Sequence, residues 1–285
     1  LSTRDAYLVV TSAWTAFSVF GMLPYLISGY ITNITDAFFE SMSGFTTTGA
    51  TIFDDVECLP HGMLFWRSLT QWIGGLGIVF FTIAVLPSLV GGNMKVFAAE
   101  ATGPIKSKMH PRLSTTAKWI WSIYSLLTIT CILSFHLAGM GWFDSVCYSM
   151  TTNATGGFAP HNESVAYFKS PLIEYIEILF QFLAGINFIL LYTAIFKRKW
   201  KDMYRNSEFR LYVAIVTIST IWISWLLVFR LGYDVEHALR CGLFQVVSFI
   251  TTTGLFNDDA GQWPHITWVI LGCCMFAGAC AGSTS

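Results

Sequence analysis

Residues 41–50 read SMSGFTTTGA, a short polar run of threonines that closes on a glycine. A relative, SMTTNATGGF, fills 149–158, and a third, VVSFITTTGL, fills 246–255. Aligning Gly49, Gly157 and Gly254 gives spacings of 108 and 97 residues. Each run lies in strongly apolar surroundings, and that pairing decides the fold.

The surroundings come first. Only 12% of the 285 residues are charged and 54% are hydrophobic, against about 25% charged in soluble domains. Six stretches, 6–27, 68–90, 119–142, 178–196, 211–229 and 263–282, run uncharged for 19 residues or more. A helix needs about 20 apolar residues to cross a bilayer, and soluble helices of that length carry charge on one face. The pattern predicts an all-α polytopic membrane protein. A net charge of −1 gives no reason to expect a nucleic-acid partner. Twelve of the sixteen Lys and Arg fall at Arg4, at 95–118 and at 197–210, whereas 29–61, 140–170 and 231–262 hold eleven of the seventeen acids. The positive-inside rule makes the basic segments cytoplasmic and the acidic ones outward. The first apolar run is too long for a cleavable signal peptide.

The repeat sets the organisation. Residues 1–95 form a first span–loop–span unit, 96–118 a cytoplasmic loop, 119–197 a second unit, 198–210 a loop, and 211–285 a third unit that stops within its last, broken helix. The polar runs cannot themselves cross the membrane, since the basic loops would then fall on opposite sides. They are expected to dip in and return, because irregular backbone at that depth must be protein-buried or line an aqueous cavity. Asp36, Asp144 and Asp234 are expected to cap the short helices that lead into the runs.

A Thr-Thr-Thr-Gly strand offers backbone carbonyls and uncharged hydroxyls, and glycine leaves room for close approach. Such oxygens replace the water shell of a large monovalent cation without holding it too tightly. Short helices ending at the run turn their partially negative ends toward a cation. Asp54, Asp55, Glu57, Asp258 and Asp259 would enrich cations at the mouth. Arg67, Glu174 and Glu177 stand near span ends, where snorkelling accounts for them. Arg240 is either a partner for nearby acids or a modulator of ion entry, and His136 reads as a satisfied interior histidine. The seven cysteines show no paired metal-ligand spacing, which favours buried small residues over zinc or disulfides. The sequons at Asn33 and Asn162 carry no weight. The small-residue end, GCCMFAGACAGSTS, reads as close packing or a hydroxyl-rich break.

These residues resemble the Trk/Ktr/HKT superfamily of potassium transporters, most closely the TrkH-type subunit. SMSGFTTTGATIF is similar to its first filter, ATGGFAPHNES to its second and FQVVSFITTTGLFNDD to its third. RSLTQWIGGLGIVFFTIAVLP is similar to the helix after the first filter, and FAGACAGSTS to the broken helix beneath the pore. The resemblance implies four units around one pore, a homodimer, and a cytoplasmic nucleotide-binding regulatory subunit as partner. It implies potassium-binding filter residues Thr47, Thr48 and Gly49, then Thr155, Gly156 and Gly157, then Thr252, Thr253 and Gly254. It also implies an intramembrane gate loop of Gly278, Ala279, Cys280, Ala281, Gly282, Ser283, Thr284 and Ser285. The two helices that commonly precede the first unit are missing here, as is a fourth unit, so the sequence reads as a piece of a longer protein.

The expected function is potassium uptake across the bacterial inner membrane, with filter mouths outward, lipid as surroundings and no covalently bound cofactor. The membrane potential supplies about 2.3 kcal/mol per charge per 100 mV. No Walker-type loop occurs, so nucleotide control falls to the partner. A sodium-permeable or sodium-coupled transporter is the alternative. A membrane enzyme would need a clustered constellation that the spans lack, and a non-conducting scaffold would not need the glycines.

Overall fold

The computed structural model describes residues 3–77, 113–280, 283 and 284. Most of the 68–90 stretch and nearly all of the 96–118 loop therefore lie outside the described residues, as do Ala281, Gly282 and Ser285 of the expected gate loop. Among the described residues the secondary structure is helical, with no strand.

Helix α1 (Thr3–Gly21) is followed by α2 (Leu23–Ser28), which carries a proline in its first turn and ends at left-handed Gly29. Next come a short helix, α3 (Ile34–Phe45), a loop, and α4 (His61–Gly74). The order recurs as α5 (Leu113–Leu137), the short α6 (Trp142–Ala154), a 3-10 turn at Ser164–Phe168, α7 (Pro171–Ala184) and α8 (Phe188–Ile195). It recurs again after α9 (Trp200–Arg205) as α10 (Ser207–Leu226), the short α11 (Val235–Ile250) and α12 (His265–Ala277). Each leading helix packs on the short helix that follows it: α1 on α3, α5 on α6, α10 on α11. The second helix of one group then packs on the short helix of the next, α4 on α6 and α7 on α11. Chain order is thus spatial order.

The short helices begin differently from expectation at two of three sites. Asp234 does cap α11, its carboxylate accepting from the Glu236 N–H at 3.2 Å. Asn33, not Asp36, caps α3 by accepting from the Thr35 N–H at 2.9 Å, and α6 starts at Gly141 without a side-chain cap. Asp36 and Asp144 sit instead inside the first turn, where their charge meets the positive end of the helix dipole.

Among the described residues two helices are long and apolar enough to cross a membrane, Lys118–Leu137 and Ser207–Leu231. Their exposed faces carry Leu126, Ile129 and Leu133, and Ile218, Ile221, Trp222 and Trp225. The 178–196 stretch is not one span-length helix: it divides between α7 and α8 at Gly185–Asn187. The 263–282 stretch yields only the 13 residues of α12, and 6–27 bends at Met22.

Close packing accompanies the break at Gly185. A Cβ on Gly185 would stand 2.7 Å from the Thr251 methyl at the end of α11. At the matching place after α4, a Cβ on Gly75 would stand 2.7 Å from the Ala154 Cα at the end of α6. Gly75→Val is therefore expected to force α4 from α6 and lower stability by roughly 1–3 kcal/mol. Gly62→Ala, where the added carbon meets nothing within 4 Å, should leave the thermal midpoint in detergent almost unchanged.

Candidate functional site: three Thr-x-Gly loops

All three short helices end in the same set of hydrogen bonds. After α3, the Thr47 N–H donates to the Gly44 carbonyl at 3.0 Å and the Thr48 N–H to the Ser43 carbonyl at 2.9 Å. After α6, Thr155 donates to Thr152 at 3.1 Å and Gly156 to Thr151 at 2.9 Å. After α11, Thr252 donates to Phe249 at 3.1 Å and Thr253 to Ser248 at 2.8 Å. This is the Schellman closure, in which a left-handed residue reverses the chain. Glycine usually takes that place, yet here it is threonine each time, with φ of 55°, 51° and 52° at Thr47, Thr155 and Thr252. A β-branched residue in this region is an outlier, and such strain, of order 1–3 kcal/mol per residue, collects at functional sites.

The glycine two residues on is also left-handed, with φ of 77°, 84° and 80° at Gly49, Gly157 and Gly254. A Cβ on Gly49 would collide with the Gly156 carbonyl oxygen, and one on Gly157 with the Thr253 carbonyl oxygen. The three loops therefore stand side by side, the second between the other two. Thr151 through Gly156 are buried, whereas Thr48, Thr252 and Gly254 are exposed. Beside Gly254 an added Cβ would meet only the Gly157 Cα, at 3.9 Å.

Polar side chains that sequence reasoning passed over fix the loops from behind. Gln71 of α4 donates to the Gly156 carbonyl at 2.6 Å, while its own oxygen accepts from the Phe158 N–H at 3.0 Å and the Thr151 hydroxyl at 2.5 Å. Glu40 accepts from Arg67 Nε at 2.9 Å, the Thr51 hydroxyl at 3.0 Å and the Ile52 N–H at 3.0 Å. The Arg67 guanidinium also lies 4.2 Å over the Phe158 ring and donates to the Ala159 carbonyl at 3.4 Å. Arg67 does not snorkel: it is 2% exposed, and Glu177 is 0% exposed. Glu177 accepts from the Thr152 hydroxyl at 2.7 Å and from Gln181 at 2.9 Å. Glu174 is buried too, paired with Arg240 at 2.7 Å. Arg240 is thus a partner for acids, Glu236 being the second at 2.9 Å. His136 is satisfied as expected, its Nδ1 3.1 Å from the Met140 carbonyl. The signal for Gln71 and Gln181 was readable: each stands four residues before the packing glycine of its helix.

Described residues of the small-residue segment meet the second loop and the end of α7. Gly278 ends α12 with φ 69°. The Cys280 N–H donates to the Gly185 carbonyl at 3.0 Å, and Thr284 donates to the Ala184 carbonyl through its N–H at 3.4 Å and its hydroxyl at 3.3 Å. The Thr155 hydroxyl in turn donates to the Thr284 carbonyl at 3.0 Å. Ala279 packs near Gly185, and Ser283 donates to the Cys280 carbonyl at 3.2 Å.

The acids at the opposite end have structural partners. The Asn162 amide, with the Glu57 N–H, holds the Asp55 carboxyl below its ordinary range. His161 lies 3.4 Å from Asp144 and 3.6 Å from Glu57, and Asp258 accepts from Tyr233 and Trp263. Asp54 is exposed. All seven cysteines are free, five of them buried.

Residues 1–285 match a family described as "TrkH: Cation transport protein". The chain belongs to the TrkH family. It is 42% identical over 287 residues to the Trk system potassium uptake protein TrkH of Salmonella typhimurium, and 41% to that of Escherichia coli K12. Both alignments take in 100% of this chain and 59% of the relative. The crystal structure of the potassium transporter TrkH from Vibrio parahaemolyticus superposes with a TM-score of 0.86 at 38% identity, covering 100% of this chain and 58% of that one. The chain spans about three fifths of the length of the curated relatives it matches.

The Glu40–Arg67 pair generates a prediction about stability. Arg67→Met leaves a buried carboxylate without its cation and should cost about 3–5 kcal/mol. Adding Glu40→Gln should restore most of the loss, read as the thermal midpoint of single and double variants.

Proposed function

We propose that this chain forms three sides of a potassium-selective pathway for uptake across the bacterial inner membrane. Thr47, Thr48 and Gly49, Thr155, Gly156 and Gly157, and Thr252, Thr253 and Gly254 line its filter. α3, α6 and α11 are its pore helices, entering from the outer side and turning their partially negative ends toward the ion. A fourth loop, implied by the resemblance, belongs at the open side beside Gly254. The segment 278–285 is the gate, and Thr284 within it meets Thr155 of the second filter loop. Potassium is the substrate, the protein works as a homodimer in lipid, and nucleotide acts only through a cytoplasmic regulatory subunit.

The observation that carries this reading is the threefold left-handed Thr-x-Gly turn, with the glycines of the first two loops pressed against the next loop's carbonyl. A ring of carbonyls built without side chains suits a dehydrated monovalent cation. These relatives are named as potassium uptake proteins, which supports potassium and gives no support to the sodium alternative.

The test is flux of rubidium, potassium and sodium into proteoliposomes holding this chain completed with a fourth unit, beside the chain alone, which should not conduct selectively. Through the completed chain rubidium and potassium should pass in preference to sodium. Gly49→Ser puts a side chain against the Gly156 carbonyl and should raise sodium permeability relative to potassium. Unchanged selectivity would remove Gly49 from the filter. Thr155→Val removes the hydroxyl bond to Thr284 and is expected to weaken the closed state by about 0.5–1.5 kcal/mol, seen as a higher resting flux with selectivity kept.

A further inference from the structure

His237 and Cys241 stand four residues apart on α11, on one face of the helix, and Asp258 arrives from the segment after the third loop. Their ligating atoms all lie within 4.8 Å of one another. Cys241 Sγ is 3.6 Å from His237 Nδ1 and 3.8 Å from Nε2. An imidazole nitrogen, a thiolate and a carboxylate are the donors that zinc takes, at bond lengths of about 2.0–2.3 Å. Tetrahedral ligands at those lengths stand roughly 3.3–3.8 Å apart, so only a small closure is needed.

Two further features suit a cation. Metal ligands are oriented by partners of their own, and these have them. Asp258 Oδ2 accepts from the Tyr233 hydroxyl at 3.1 Å and Trp263 Nε1 at 3.0 Å, and its Oδ1 accepts from the Asp259 N–H at 2.9 Å. The Asn257 amide points at Cys241 Sγ from 3.6 Å, and the Tyr233 ring stacks on His237 at 4.9 Å. The local charge is also favourable. Arg240 Nη2 lies 3.2 Å from His237 Nδ1, yet that guanidinium is paired with Glu174 and Glu236. With Asp258, three carboxylates face one guanidinium, which leaves the neighbourhood net negative.

We propose that His237, Cys241 and Asp258 form a binding site for a borderline or soft divalent cation of the zinc–cadmium type. It is separate from the Thr-x-Gly loops and independent of what passes between them. His237 and Asp258 are half-exposed and admit the ion, while Cys241 is buried. Binding takes the proton from the Cys241 thiol and displaces Arg240 Nη2 from the imidazole; the proton leaves to solvent. A bound ion ties α11 to the segment after the third loop.

The probe is Cd2+, titrated into the purified full chain carrying Cys58→Ser and Cys273→Ser, which removes the exposed thiols. The expected result is one Cd2+ per chain with a sulfur-to-metal charge-transfer band in the ultraviolet. Cys241→Ser should abolish the band, with Cys241→Ala standing in if the serine variant unfolds. His237→Gln and Asp258→Asn should each weaken binding at least about 10-fold, in proteins whose melting curves show them folded. A band that survives loss of the Cys241 thiol overturns the site. So do affinities that stay within twofold in both other variants, or an absence of stoichiometric uptake at micromolar Cd2+.

Discussion

A carbonyl oxygen can press against a neighbouring Cα only where that carbon bears no side chain, and the centre of this molecule depends on that contact. Gly49 meets the Gly156 oxygen and Gly157 meets the Thr253 oxygen. The packing of α4 on α6 and of α7 on α11 keeps the loops that close. Left-handed threonines set the approach by turning each chain back after its short helix. Their strain persists because the Schellman bonds and the polar groups behind them over-determine the backbone.

Those polar groups differ from loop to loop. The first is held by a buried ion pair, the second by Gln71 and by Glu177, and the third by the Ser248 hydroxyl, which donates to the Leu255 carbonyl at 2.6 Å. The turn itself is common to all three, so the common element is the backbone and the variable element is its support. A buried pair is a poor source of net stability but a strong constraint on geometry when both partners are present. Arg67 shows this: it joins Glu40 to the Ala159 carbonyl beyond the second loop and stacks on Phe158. One side chain thereby couples two loops 108 residues apart in sequence.

Much of this was legible beforehand where the signal is local. The helical class, the three aligned glycines and the short helices before them follow from composition and spacing. The breaks at Gly185 and after Ala277 were harder, because hydropathy counts apolar residues and does not see a helix end inside a run of them. Only the last break had a compositional cue, in its crowd of small residues. Burial of Arg67, Glu174 and Glu177 was misread because charge near a span end suits an interface equally well. The partner that pulls each side chain inward, Glu40, Arg240 or Thr152, lies in another helix. Asp36 and Asp144 failed as caps because both helices start three residues earlier, at Asn33 and Gly141, an offset of about the size usual for boundaries read from sequence.

Described residues after α12 complete a helix far from them in the chain. The carbonyls of Ala184 and Gly185 lie at a helix end, where intrahelical donors run out, and Cys280 and Thr284 supply donors in their place. The Thr155 hydroxyl, shared between the Ala154 carbonyl at 2.7 Å and the Thr284 carbonyl at 3.0 Å, joins that helix end to the second loop. Without Cys280 and Thr284 the two helix-end carbonyls would lose their donors, at about 1–3 kcal/mol for each that stayed buried. The end of α7 and the residues that meet it are therefore one structural unit, although nearly 100 residues separate them in the chain.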